Sequence, residues 1–179
     1  MAEKWDLYDI DRVKTGEIME RGEQIPPKRY HLAVHVCIFG SDGRMLIQQR
    51  QPFKEGWSNM WDVTVGGSAI SEDTSQTAAE REVMEEIGLP ILLDGERPRI
   101  TINFDGGFDD IWCLKRDVDI SSLKLQYEEV QAVRWATKEE ILTMIEDGEF
   151  IPYHKSLIDL LFLYSEQIGT FDNRHQENK

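Results

Sequence analysis

Apolar residues along this chain follow two rhythms, a strand-like one and a helix-like one, and their succession predicts the elements. The run HLAVHVCIF, from His31, is β-branched, short and nearly continuous in apolar character. It predicts a strand buried on both faces. GSDG turns it into RMLIQQR, and WDVTVGG reads as a third strand ending in two glycines. In the stretch that follows, Ala79, Val83 and Ile87 recur at i,i+4 and mark the core face of a helix. Gly88 fits the position just past its end, and Pro90 stands where a helix cannot continue. RITINF and FDDIWCLKR flank DGG and predict a strand pair. VQAVRWA is a later strand. TKEEILTMIEDG opens with a capping box from Thr137 to Glu140 and stops at Gly148. A last helix runs through YHKSLIDLLFLYSEQ, with Leu157, Leu160, Leu161 and Tyr164 on one side.

Ahead of these elements, WDLYDIDRVKTGEIMERGEQI alternates weakly around KTG, a hairpin-like pattern, and Pro26-Pro27 breaks the chain. The order strands, helix, strands, helix, helix predicts an α/β fold, an α/β/α sandwich with a mixed β-sheet. The expected division is an N-terminal extension over 1–29, one domain over 30–168 and a polar tail over 169–179.

Composition narrows the function classes. The chain has 179 residues, 40% hydrophobic and 30% charged, enough for one domain with a sizeable core. No apolar run approaches the roughly 20 residues that cross a bilayer, and MAEKWDLYDID has no apolar signal segment. Neither a membrane nor a secretory route is expected. Cys37 and Cys113 both sit in apolar strand-like runs and read as buried thiols in a reducing, cytoplasmic compartment. A formal net charge of -14 would repel a nucleic-acid backbone, so no nucleic-acid partner is expected. An anionic ligand would need a local basic pair or a bound cation.

The helix carries the candidate chemistry. Glu82, Glu85 and Glu86 fall within an arc of roughly 100°. Like charges at these spacings repel by about 0.2–0.5 kcal/mol per pair. A solvated acidic face is the ordinary alternative, but no basic residue interleaves after Arg81, and the helix follows a Gly-Gly strand end where backbone can approach a ligand. A hard divalent cation, Mg²⁺ or Mn²⁺, would relieve the repulsion.

The same stretch resembles the Nudix box, the signature of hydrolases acting on a nucleoside diphosphate linked to another moiety. Gly67, Arg81, Glu82, Val83, Glu85, Glu86, Gly88 and Leu89 all match its spacing without a gap, and Asp73 stands where the pattern has Glu. The resemblance covers about residues 30 to 150 and implies the sandwich fold already read from the pattern. It implies metal-ligand roles for Glu82, Glu85 and Glu86, with the Gly66 carbonyl as a further ligand. It also implies that Arg81 holds residue 73 and so orients the loop against the helix. Asp73 is one methylene shorter than Glu, and capping the helix through Gln76 is its other reading.

Upstream, HLAVHVCIF followed by Arg50, Lys54, Trp57 and Trp61 is similar to the isopentenyl-diphosphate isomerase branch of Nudix proteins. In that branch the residues matching Arg50 and Lys54 bind a diphosphate, which suits a guanidinium fork beside a lysine point charge. His31 matches a metal-binding histidine there, against an ordinary core role, and His35 follows on the same strand face. Trp57 and Trp61 read either as packing or as ligand contacts. Glu129, in a better register than Glu128, matches a late carboxylate that serves some Nudix hydrolases as general base.

These readings favour a metal-dependent pyrophosphohydrolase. Its partner is a small-molecule diphosphate, with Glu85, Glu86 and Glu129 catalytic and Arg50 and Lys54 holding phosphate. The rivals are an isoprenoid diphosphate isomerase and a non-catalytic Nudix-like regulator that binds a ligand. The isomerases place a catalytic cysteine at the position of Gly66, which has no side chain. The substrate and the oligomeric state stay open at this point, a homodimer included.

Overall fold

The computed structural model describes residues 2–171; the remainder of the expected polar tail lies outside them. The chain forms, in order, β1 (Lys4–Tyr8), β2 (Lys14–Glu20), β3 (His31–Phe39), β4 (Met45–Arg50), β5 (Trp61–Asp62), β6 (Val65–Ser68), α1 (Ser75–Ile87), β7 (Ile100–Phe104), β8 (Gly107–Lys115), β9 (Val130–Ala136), α2 (Lys138–Glu146) and α3 (Lys155–Glu166). Seven strands make one mixed sheet, ordered β5-β4-β3-β8-β7, with β6 on β3 and β9 on β4. β3 and β8 run parallel along their whole length, and every other pair is antiparallel.

Alternation along β3 divides the core in two. Val34, Val36 and Ile38 face Ala78, Ala79, Val83 and Ile87 of α1. Cys37 and Phe39 face Ile141 and Met144 of α2 and Ile158 and Leu161 of α3. The expected α/β/α sandwich is what the chain adopts. Cys37 and Cys113 sit opposite each other on β3 and β8 as buried free thiols.

Three local expectations are corrected. WDVTVGG is two short strands, because β4 and β6 share one edge of β3 and the chain must cross between them. Thr64 fills that gap: its hydroxyl donates to the Leu46 carbonyl at 2.5 Å and accepts from the Ile38 N–H at 2.9 Å. The N-terminal half of β3 alternates half-buried and buried positions instead of burying both faces, since His31, Ala33 and His35 are covered only partly. The N-terminal hairpin turns at residues 9–13, held by Asp9, and KTG lies within β2. This two-stranded sheet packs on the main domain: Tyr8 pairs with Tyr30, Asp6 accepts from Ser71 and Glu72, and Lys14 donates to the Asp73 carbonyl.

Candidate active site

β6 delivers Gly66 and Gly67 to the edge of α1. A side chain at Gly67 would overlap the Glu82 carboxylate, so only glycine lets the helix approach this closely. A Cβ at Gly66 would stand 2.7 Å from the His35 imidazole. The loop then reaches α1 through Thr74, the actual N-cap, which forms a reciprocal capping box with Thr77. Asp73 therefore does not cap through Gln76. It accepts from Arg81 Nε at 3.2 Å and Nη2 at 3.0 Å, and from the Ile70 N–H at 3.1 Å. Gly88 ends the helix in the left-handed conformation with φ of 67°.

Arg81 is the hub of the loop-helix. Besides Asp73 it donates to the Ser68 carbonyl at 3.0 Å, to Glu82 at 2.9 Å and to Glu85 at 3.1 Å. Glu86 lies deeper, 5% exposed, and accepts from the Gln48 amide at 2.8 Å. Burial pushes its carboxyl up to about 8, against the Gln48 bond and with help from the charges of Glu82, Glu129 and Asp62. Burial also raises Glu82, opposed by Arg81.

Glu82, Glu85 and Glu86 line one strongly polar cleft of about 150 Å³, together with Gly66, Gly67, Arg50, Lys54 and Glu129. Lys54 and Glu129 face each other as an ion pair, 2.6 Å from Nζ to Oε1. Arg50 donates to the Gly56 carbonyl at 3.1 Å. Every residue singled out in the sequence for metal or phosphate contact, His31 excepted, reaches this cleft. His31 stacks on Trp5 with centroids 4.5 Å apart and binds the Gly106 carbonyl, apart from the carboxylates. Trp61 is half-buried beneath Arg134, whereas Trp57 is 52% exposed. Glu128 is exposed and does not line the cleft.

Sequence reasoning missed Gln126 and the hairpin residues Glu3 and Arg21, which line the same cleft, and Gln48, which donates to Glu86. Gln48 left a signal, an amide directly after the apolar run Met45 to Ile47 of its strand. Arg21 and Glu3 left none, because their 2.9 Å pair on the cleft rim depends on how the hairpin docks. A larger hollow of about 620 Å³ lies between the Asp42–Arg44 turn and the helices α2 and α3, and none of the candidate residues touches it.

The donor set suits a hard cation: carboxylates that burial first, and their mutual charge second, raise at Glu82 and Glu86, beside a glycine cradle that a Cβ would fill. Among the described residues, no three acidic, histidine or cysteine side chains stand close enough together to ligate one ion. Arg81 occupies Glu82 and Glu85 instead.

Comparison with known proteins gives a consistent picture. The NUDIX domain family model matches residues 29–160. The chain is 50% identical over 151 residues to an uncharacterised Nudix hydrolase of Listeria monocytogenes, covering 84% of this chain and 89% of that one. A second relative, from Listeria innocua, is 49% identical over the same length and bears the same description. A crystal structure from Deinococcus radiodurans superposes with a TM-score of 0.69 at 25% identity, covering 89% of this chain and 97% of its own.

Proposed function

This chain belongs to the Nudix hydrolase family, enzymes that act on acid anhydrides, and we propose that it is a metal-dependent pyrophosphohydrolase. Its substrate is a small molecule in which a diphosphate links a nucleoside, or a related group, to another moiety. The observation that carries this reading is the position of Glu86, buried beside Glu82 in a cleft that also holds the Arg50 guanidinium and the Lys54–Glu129 pair.

Glu82, Glu85, Glu86 and the Gly66 carbonyl would hold Mg²⁺ or Mn²⁺. Such a cation supplies charge to neutralise the diphosphate and makes water a better nucleophile near neutral pH. The chain's own residues do the rest. Arg50 and Lys54 bind the phosphate oxygens. Lys54 turns from Glu129 toward the substrate, which frees that carboxylate. Glu129 or Glu86 accepts the proton as a water oxygen bonds to phosphorus and the bridging P–O bond breaks. Arg81 keeps Glu82 and Glu85 in place against the loop through Asp73 and the Ser68 carbonyl.

The isomerase reading lacks an acid–base side chain at residue 66. The His35 ring crowds that position, so a larger residue there would displace it. Screening diphosphate compounds with Mg²⁺ or Mn²⁺ and resolving the two phosphomonoester products tests the proposal. Cleavage of none of them in the presence of either ion counts against it.

A further inference from the structure

The N-terminal hairpin lies ahead of the domain, yet one end of it reaches the carboxylate cleft. At that end Lys4 of β1 pairs with Glu20 of β2, and the Arg21 N–H donates to the Glu3 carbonyl at 2.9 Å. The chain turns away at Gly22, with φ of 99°, and Glu3 and Arg21 stay together on the cleft wall. We propose that Arg21 is a phosphate-binding residue, which leaves Glu3 to grip the end of the diphosphate that Arg50 and Lys54 do not hold. The proposal rests on reading this cleft as the diphosphate site.

Several anchors set where Arg21 stands. At the hairpin turn, Arg12 pairs with Asp110 of β8, a fully buried carboxylate that also accepts from the Thr101 hydroxyl at 2.6 Å. Undocking the turn would leave that charge buried without its cation, which is costly. Along β1, Asp6 accepts from the Ser71 hydroxyl at 2.9 Å and the Glu72 N–H at 3.0 Å. The Ser71 N–H donates to the Lys4 carbonyl at 2.6 Å, and Lys14 Nζ donates to the Asp73 carbonyl at 2.8 Å. Residues 71–73 belong to the loop that leads into α1. The hairpin and the acidic helix are therefore tied to the same few residues.

Charge assigns the role. A diphosphate entering the cleft meets the carboxyl groups of Glu3, Glu82, Glu85, Glu86 and Glu129, against the cations Arg21, Arg50 and Lys54. Two cation–carboxylate pairs stand along the acidic face. Glu82 is raised by burial first, with the charges of Glu85 and Glu3 adding to it, which places the Arg21–Glu3 pair toward Glu82. Glu129 bears in the same way on Glu86, one helical turn further on, which places the Lys54–Glu129 pair there. Arg81 also touches Glu82, but it is spent on Asp73, Glu85 and the Ser68 carbonyl as well. The Arg21 guanidinium has one partner among the described residues, Glu3, and both side chains are about half exposed. An exposed pair contributes little to stability, so exchanging Glu3 for phosphate oxygens costs little. The planar fork of a guanidinium suits those oxygens.

The test measures binding without turnover, by calorimetry in Mg²⁺ with methylenediphosphonate, a diphosphate analogue whose bridge does not hydrolyse. Arg21→Ala should weaken binding about tenfold, the scale of a hydrogen bond to a charged group, and Arg50→Ala should weaken it similarly. Arg21→Lys keeps the charge without the fork and should fall between Arg21→Ala and the wild type. Lys115→Ala breaks an exposed pair with Glu166 away from the cleft and removes the same charge; it should bind as the wild type does. Thermal melting should not distinguish Arg21→Ala from the wild type, because the pair it breaks is exposed.

An Arg21→Ala variant that binds like the wild type, or a Lys115→Ala variant that loses as much, would overturn the inference. Weaker binding accompanied by a lower melting temperature would also overturn it, assigning Arg21 to holding the hairpin. A wild-type chain that does not bind methylenediphosphonate overturns this inference together with the diphosphate site. Losses in both Arg21→Ala and Arg50→Ala, without cleavage of any anhydride, sink only the hydrolase reading. A loss in Arg50→Ala with none in Arg21→Ala sinks only this one.

Discussion

The carboxylate cleft meets a second cleft, of about 410 Å³, at Arg50 and Gly66, yet the two are built in opposite ways. The carboxylate cleft draws half of its wall from one continuous stretch, Gly66 to Glu86, where helix periodicity alone brings three acids to one side. The second cleft is assembled from residues at 35, 57, 62 and 151–153, which share no local pattern. Chemistry that depends on a fixed spacing of charges can be written into a helix. A hollow assembled from distant segments is written into their packing, and it can change while the helix stays the same.

The largest expected effect breaks the first cleft alone. Glu86→Gln and Glu85→Gln should each lower kcat by about 10²-fold or more, the range of a lost acid–base group, while thermal melting shows the fold intact. Near wild-type turnover in both variants at saturating Mg²⁺ would remove these residues from the catalytic machinery. Where the clefts join, Arg50→Ala should raise KM roughly tenfold with a smaller change in kcat, since a charge-assisted bond to phosphate is worth about 1.5–3 kcal/mol. An unchanged KM would remove Arg50 from the phosphate contact.

A smaller effect concerns stability without metal. Glu86 holds its proton up to about 8, against an ordinary value of 4.5. Between those values the folded chain binds a proton that the unfolded chain has released. The corresponding stability is complete below about 4.5 and is lost as pH rises toward 8. In chelator, the melting temperature should fall over this range, by about 2–4 °C for each kcal/mol lost. Glu86→Gln should flatten most of that slope. A wild-type slope of zero would contradict the burial of the charge. The smallest effect is an expected zero: isopentenyl diphosphate with Mg²⁺ should yield none of its dimethylallyl isomer when the two are resolved, and catalytic formation of that product would overturn the choice of hydrolysis.

What could be read in advance follows the same division. Ala79, Val83 and Ile87 are fully buried where their i,i+4 spacing put them, and Thr137 caps α2 with Glu140 as its sequence announced. Both features are local. Asp73 was ambiguous because its two uses differ only in which helix residue it meets, and Thr74 with Thr77 provides a better cap than Asp73 with Gln76 could. Trp57 and Trp61 are the same residue type four positions apart. One lies under Arg134 and the other stands in the open, a difference set by the backbone of the intervening loop. Likewise Glu129 was legible by register, but its Lys54 partner is joined to it only through tertiary structure.

The long parallel pairing at the centre of the sheet has a consequence for how the protein is made. It sets His31 opposite Gly107 and Phe39 opposite Lys115, and the whole of β4, β6 and α1 lies in the chain between them. Closing so long a loop is slow, because its entropy is lost before the contacts that reward it exist. The acidic helix carries its own start and stop, Thr74 and Gly88, so its turns can form early from local bonds. Both clefts must wait for the distant strands to meet. During synthesis the hairpin, β3 and α1 leave the ribosome well before β8, and until it arrives one edge of β3 has no partner. Crowded, half-made chains are therefore at risk of pairing through that edge, and gains in yield should come from slower or cooler expression before they come from changes in the core.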